Sequence, residues 1–187
     1  MAWIIDYQHV LARMRELGFR SAYYNSGAFA FASGARASIV GWIGPDDPTI
    51  RADLPATIVR VPAPYESNLA AKLLTVWPGR IDGPAWVVPK SHWSFEFDHG
   101  SRAWLPGVVE RAGVDPGLLE NRTNAAAIEF APLETESLKQ FIQSLLTHLK
   151  GSDFAILFPH HACLLTIHHH KQLWWQALDE QLIASDV

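Results

Sequence analysis

An α+β fold, with an antiparallel or mixed sheet built from α-β-β units, is what this sequence predicts, and three observations carry the reading. Residues 134–149 place Leu138, Phe141, Ile142, Leu145, Leu146 and Leu149 at i, i+3, i+4, i+7 spacing, the mark of a helix with one apolar face. Two short apolar runs follow, 154–158 and 163–167, joined by Pro159-His160-His161-Ala162, which is the pattern of a hairpin of buried strands. Helical and strand periods also alternate along the chain, with Pro and Gly between them.

Taken in order, Asp6 caps a first helix that runs to residue 17, and Gly18 takes the position after its end that favours a left-handed residue. Val10, Leu11, Met14 and Leu17 share one face of it. Strands at 28–32 and 37–43 form a hairpin around Ser33-Gly34-Ala35-Arg36. Residues 44–55, dense in Pro and Asp, are a loop and the best boundary in the chain. A strand at 57–61 precedes a helix at 64–76 that Pro78-Gly79 stops. Strands at 85–88 and 93–97 make a second hairpin around Pro89-Lys90-Ser91, and a short helix covers 103–112. A strand at 126–131, the helix at 134–149, the histidine-bearing hairpin and a last helix at 171–183 complete the order.

From residue 56 that order is β-α-β-β-α twice over, a ferredoxin-like arrangement. Laying 56–117 on 126–187 gives ten identities, among them Pro62/Pro132, Pro89/Pro159, His99/His169 and Trp104/Trp174. The expected organisation is one compact domain, 1–187. It comprises an N-terminal helix plus hairpin (1–45) and two repeat halves, 56–117 and 126–187, which would meet about a pseudo-twofold axis and leave a cleft.

Composition narrows the function classes. Apolar residues make up 49% and charged residues 18% of the 187, enough for a real core and far from a disordered composition. A net charge of −4 without a basic run gives no nucleic-acid footprint. No apolar run reaches membrane-spanning length, and Asp6 interrupts the N-terminal apolar residues before a secretory signal could form. A lone Cys163 in a core strand fits a reducing compartment, so the expectation is a cytoplasmic protein with neither nucleic-acid nor membrane partners. The alternation of Cys163 with apolar neighbours reads as packing rather than nucleophilic chemistry.

Candidate functional residues fall into two groups. On a strand at 93–97, His92, Ser94, Glu96 and Asp98 would share a polar face, offering His92, Glu96 and Asp98 to a ligand as acid, base or hydrogen-bond partners. Trp86, Trp93 and Trp104 crowd the same half and would line an apolar cleft. The second group is histidine. His160 and His161 belong to the hairpin tip, while His168, His169 and His170 fall at its base beside Asp153, roughly 20 Å away at strand rise. Pseudo-twofold packing would add His99 and Asp98 to the base group. Neutral imidazoles in such a cluster suit a borderline divalent metal, Zn or Ni.

The leading expectation is a non-enzymatic module that binds a small ligand or a protein partner in an aromatic cleft. A metal-assisted or acid-base enzyme using the His cluster and a structural, self-associating protein are the alternatives. Eight Trp residues and an exposed sheet edge favour a homodimer. The absence of GxGxxG, Walker A, CxxC and GxSxG motifs leaves catalysis without a sequence signature.

Overall fold

The computed structural model describes residues 2–19, 36–42, 58–60, 62–80, 82–89, 93–98, 103–121, 125–148, 153–168 and 172–179. Across them runs β1 (Trp3–Asp6), α1 (Tyr7–Glu16), β2 (Arg36–Trp42), β3 (Ile58–Arg60), α2 (Tyr65–Arg80), β4 (Ala85–Pro89) and α3 (Trp93–Asp98). Then follow α4 (Leu105–Arg111), α5 (Pro116–Asn121), β5 (Ala125–Phe130), α6 (Thr135–His148), β6 (Phe154–Leu157), β7 (Cys163–His168) and β8 (Gln172–Ala177). This is a mixed α/β architecture, as the alternation of periods implied. The described strands join in one sheet in the order β1-β5-β4-β6-β7-β8-β2-β3. Every neighbouring pair is antiparallel except β2 with β3.

The two faces of this sheet are covered unequally. Side chains alternate along each strand, so residues two apart share a face. Val87, Ile128, Phe130, Phe154, Ile156, Leu165, Ile167 and Trp175 point to one side, where α2 to α6 supply Leu69, Trp93, Phe97, Val109, Leu119, Phe141 and Ile142. Trp86, Val88, Ala127, Ala155, Leu157 and Leu164 point to the other, where Val10, Leu11 and Met14 of α1 meet them. The central strands are therefore buried on both sides, and β4 and β6 are buried at every residue. Continuous apolar runs are what such strands require.

Local signals explain the elements that match expectation. Asp6 accepts a hydrogen bond from the His9 backbone N–H at 2.9 Å, capping α1, and Gly18 has φ +87°. The apolar face of α6 is fully used: Leu138, Phe141, Ile142, Leu145 and Leu146 are all buried.

Several expectations are corrected. Residues 93–97 are not a strand; they lie in α3. The segment Trp-Ser-Phe-Glu-Phe alternates, but Trp93, Glu96 and Phe97 also stand at i, i+3, i+4, and that helical face is the buried one, leaving Phe95 exposed. Within the helix expected at 171–183, Gln172–Ala177 is instead strand β8, held between β7 and β2, and 180–183 lie outside the described residues. Pairing on both edges decides for a strand where Leu-Trp-Trp suits either state. α2 continues past Pro78-Gly79 to Arg80, because a proline in the final turns forfeits only one backbone bond. β1 and α5 were not anticipated. Pro116 starts α5, and Asp115 Oδ1 accepts from Gly117 N at 2.9 Å.

The two halves consequently read β3-α2-β4-α3-α4-α5 and β5-α6-β6-β7-β8, so only an opening β-α-β is common to both. A ferredoxin-like repeat of β-α-β-β-α is not what these elements form. β2 fits the strand expected at 37–43, although it pairs with β8 and β3; its expected hairpin partner at 28–32 lies outside the described residues.

Candidate functional site

The strand ends divide the proposed residues between two ends of the sheet. At one end β4 finishes at Pro89, paired with Phe154 at the start of β6, and Phe154 is paired with Ile167 near the end of β7. Asp153 thus stands at the same end as His168, as the hairpin reading expected. α3 sits here too: Trp93 packs its ring 6.0 Å from that of Phe154. Glu96 and Asp153 are both buried, at 1% and 9% exposure, two of three polar or charged side chains so placed among the described residues. Each has an interaction partner. Asp98 is exposed. His92, His99, His169 and His170 lie outside the described residues, and the described ones contain no group of three His, Cys, Asp or Glu able to hold a metal ion.

The polar stripe does not survive as a stripe. On α3, Glu96 turns inward while Ser94 and Asp98 are exposed, because a helix rotates successive residues by about 100°. Nor do the three tryptophans share a cleft. Trp86 is buried on the α1 face of the sheet and Trp93 on the opposite face, while Trp104 is half-buried and stacks on His148 at 5.1 Å.

At the opposite end, the β6–β7 turn is clasped. His161 Nε2 lies 2.5 Å from Asp82 Oδ1, and Arg13 Nε of α1 donates to the Pro159 carbonyl at 2.5 Å. The His161 hydrogen bond, and behind it the imidazole's charge, hold the Asp82 carboxyl below its ordinary value of 3.8. Gly83, at φ +93°, runs so close beneath the His160 ring that a Cβ there would collide with it. This arrangement ties three segments together.

A different grouping stands out on the α1 face. Trp3 of β1 is directly opposite Glu129 of β5, and Glu129 is directly opposite Trp86 of β4. Directly opposed residues put their side chains on one face with Cβ atoms about 5 Å apart, so the three form a Trp-Glu-Trp row. Trp86 Nε1–H donates to Glu129 Oε2 at 2.6 Å, and the His9 ring of α1 meets Trp86 edge-on at 5.5 Å. Burial falls along the row towards the sheet edge: Trp86 is 3% exposed, Glu129 half-buried and Trp3 66% exposed. Among the described residues, Trp86 is the one hydrogen-bond partner of the Glu129 side chain, and no cation is paired with it. No known family model, curated protein or solved structure matches this chain.

Of this row, sequence reasoning named Trp86 only. Glu129 carried a signal, as the single charged residue in the strand Ala-Ala-Ala-Ile-Glu-Phe. Trp3 and His9 carried none, since their approach to Glu129 and Trp86 depends on strand register and on where α1 lies.

Two other features carry less chemistry. Cys163 is buried, and burial pushes its thiol far above the usual range, which favours the packing role over thiolate chemistry. A shallow depression between α4 and α6, lined by Val108, Arg111, Ser137, Gln140 and Phe141, is too small to enclose a ligand.

Proposed function

We propose that this chain is a binding protein rather than a catalyst, and that its ligand site is the corner where α1 meets the β1 edge. One observation carries the reading: a half-buried carboxylate, Glu129, is held by a buried indole and flanked by an exposed one, with no described cation beside it. An indole face half open to solvent supplies apolar contact area, and a fixed carboxylate supplies orientation, the two ingredients of a small-ligand site. His9, exposed on α1, packs edge-on to Trp86, and the row itself holds no nucleophile–base pair of the kind covalent catalysis needs. A fragment screen read by the indole N–H signals of Trp3 and Trp86 tests this. Hits should move both signals saturably, and Trp3→Ala should abolish binding without unfolding the protein. Hits that leave both signals in place would move the site elsewhere.

A second reading rests on the far end of the sheet, the end shared by Asp153, just before β6, and His168, the last residue of β7. We propose a divalent-metal site there, Zn or Ni, shared by His168, His169, His170 and His99. Metal analysis of purified protein and of His99→Ala and His169→Ala decides it, since a shared site loses stoichiometry with either change. Full metal content in both variants, or none in the parent protein, would rule it out.

A further inference from the structure

We propose that the Trp3–Glu129 corner takes an organic cation, and specifically the head of a small alkylammonium or quaternary ammonium ligand. The inference rests on the binding reading above and adds the chemical class of the ligand.

Glu129 Oε2 is already occupied by Trp86 Nε1–H at 2.6 Å, which fixes the carboxylate plane and leaves Oε1 with no bond from any described residue. The adjacent position across the ladder is Trp3, whose side chain shares the face of the carboxylate and is two-thirds exposed. A cation placed there would meet a negative charge on one side and the negative face of an indole on the other. Both attract the same sign of charge, and cation–π attraction strengthens as water is removed. An anion would be repelled by Glu129. A neutral apolar group would use Trp3 but leave the carboxylate oxygen desolvated without a partner, which is unfavourable.

Trp86 acts here as a positioning residue. At 3% exposure it has little surface to give a ligand, but its N–H aims the carboxylate. His9 of α1 packs edge-on to Trp86 at 5.5 Å. The residues behind the row are apolar: Leu157 pairs with Trp86 and Leu164 with Leu157, both fully buried. Charge recognition is therefore confined to the edge, where a small head group can enter. A ligand of this class suits one exposed aromatic ring and one carboxylate oxygen, since an alkylated ammonium needs few directional hydrogen bonds.

The test is a titration of the full chain with tetramethylammonium chloride, followed by the Trp3 and Trp86 indole N–H signals, against sodium chloride at equal ionic strength. A neutral isostere, 3,3-dimethylbutan-1-ol, and acetate form the comparison arms. The expected result is a saturable shift with the ammonium alone, weakened at least about tenfold in Trp3→Ala and in Glu129→Gln. Glu129→Gln keeps an acceptor for Trp86 Nε1–H, so an unchanged circular dichroism spectrum separates lost charge from lost structure. Trp86→Phe should weaken binding less than Glu129→Gln if Trp86 only positions the carboxylate. Equal binding of the neutral isostere, or full binding by Glu129→Gln, would overturn the cation while leaving a ligand site at Trp3 standing. No saturable shift with the ammonium overturns the inference, and if the fragment screen also leaves Trp3 and Trp86 unmoved, the site itself falls.

Discussion

Glu129 and Trp86 show how one hydrogen bond joins stability to the proposed site. Trp86 is almost completely buried, so its indole N–H needs an acceptor within the protein, and Glu129 Oε2 supplies it at 2.6 Å. Removing that acceptor leaves a buried donor unsatisfied, which typically costs about 1–3 kcal/mol. Glu129→Ala should therefore lower unfolding free energy by roughly that amount, and Glu129→Gln by distinctly less, since the amide oxygen can still accept. Chemical denaturation of both variants checks the ordering; equal losses would show that the hydrogen bond is not what matters. Asp82 makes a different case. Its carboxyl is held low in the folded chain by His161, so the unfolded chain binds a proton first as pH falls. The contribution of the pair is present above the ordinary value of 3.8 and is lost as pH drops through the depressed folded value. Asp82 is exposed to solvent, so the effect belongs in a site-resolved titration. The Asp82 carboxyl should titrate below 3.8 in the parent protein and return towards it in His161→Ala. An unchanged midpoint in the variant would remove His161 as the cause.

Helices α1 and α6 cover opposite faces of the sheet and can be compared directly. Phe141 of α6 is 2% exposed, with its ring 5.5 Å from Phe130 in an edge-on contact, and Met14 of α1 is fully buried. Truncating a buried Phe to Ala costs about 3–5 kcal/mol and a buried Met about 2–5, through lost transfer energy and the cavity left behind. Phe141→Ala and Met14→Ala should both be severely destabilising, even though α1 is the one helix among the described residues that packs on its face. A Met14→Ala variant with an unchanged unfolding midpoint would show that α1 is not anchored to the sheet. The same comparison bears on the proposed site, because α1 also carries His9 to Trp86. A loosened α1 should disturb the Trp86 indole signal before the Phe141 face responds.

Across the whole molecule, the two cores share the same strands. β4, β5, β6 and β7 each send alternate residues into both, so neither core can lose its sheet while the other keeps it. Tryptophan fluorescence, weighted by Trp86 on one face and Trp93 and Trp175 on the other, should fall in a single transition coincident with that of far-ultraviolet circular dichroism. Two separated transitions would mean that α1 and its face unfold as a unit of their own. No described helix is long and apolar enough to cross a membrane. The clasp between Asp82, His161, Arg13 and Pro159 also belongs to this scale, since it links the approach to β4, the β6–β7 turn and α1.

What the sequence determined by itself was set by local period and local chemistry. The apolar stripe of α6, the Asp6 cap and Gly18 end of α1, and the paired runs of β6 and β7 were legible because each is stated within about fifteen residues. Short aromatic segments were not. Trp93–Asp98 and Gln172–Ala177 fit helix or strand equally well on pattern, and burial of Trp93, Glu96 and Phe97 in one case, and pairing to β7 and β2 in the other, made the choice. The candidate site was less legible still. Trp86 looked like the wall of a cleft shared with Trp93, yet Trp86 points from β4 towards α1, while Trp93 lies on α3, which covers the opposite face of the sheet. Trp3, Glu129 and Trp86 are far apart in the chain, and only the antiparallel registers of β1 with β5 and β5 with β4 place them in one row. A shift of one residue in either register would turn Glu129 or Trp3 to the other face and leave no row. Residue type was written in the sequence; which residues meet was decided by strand register.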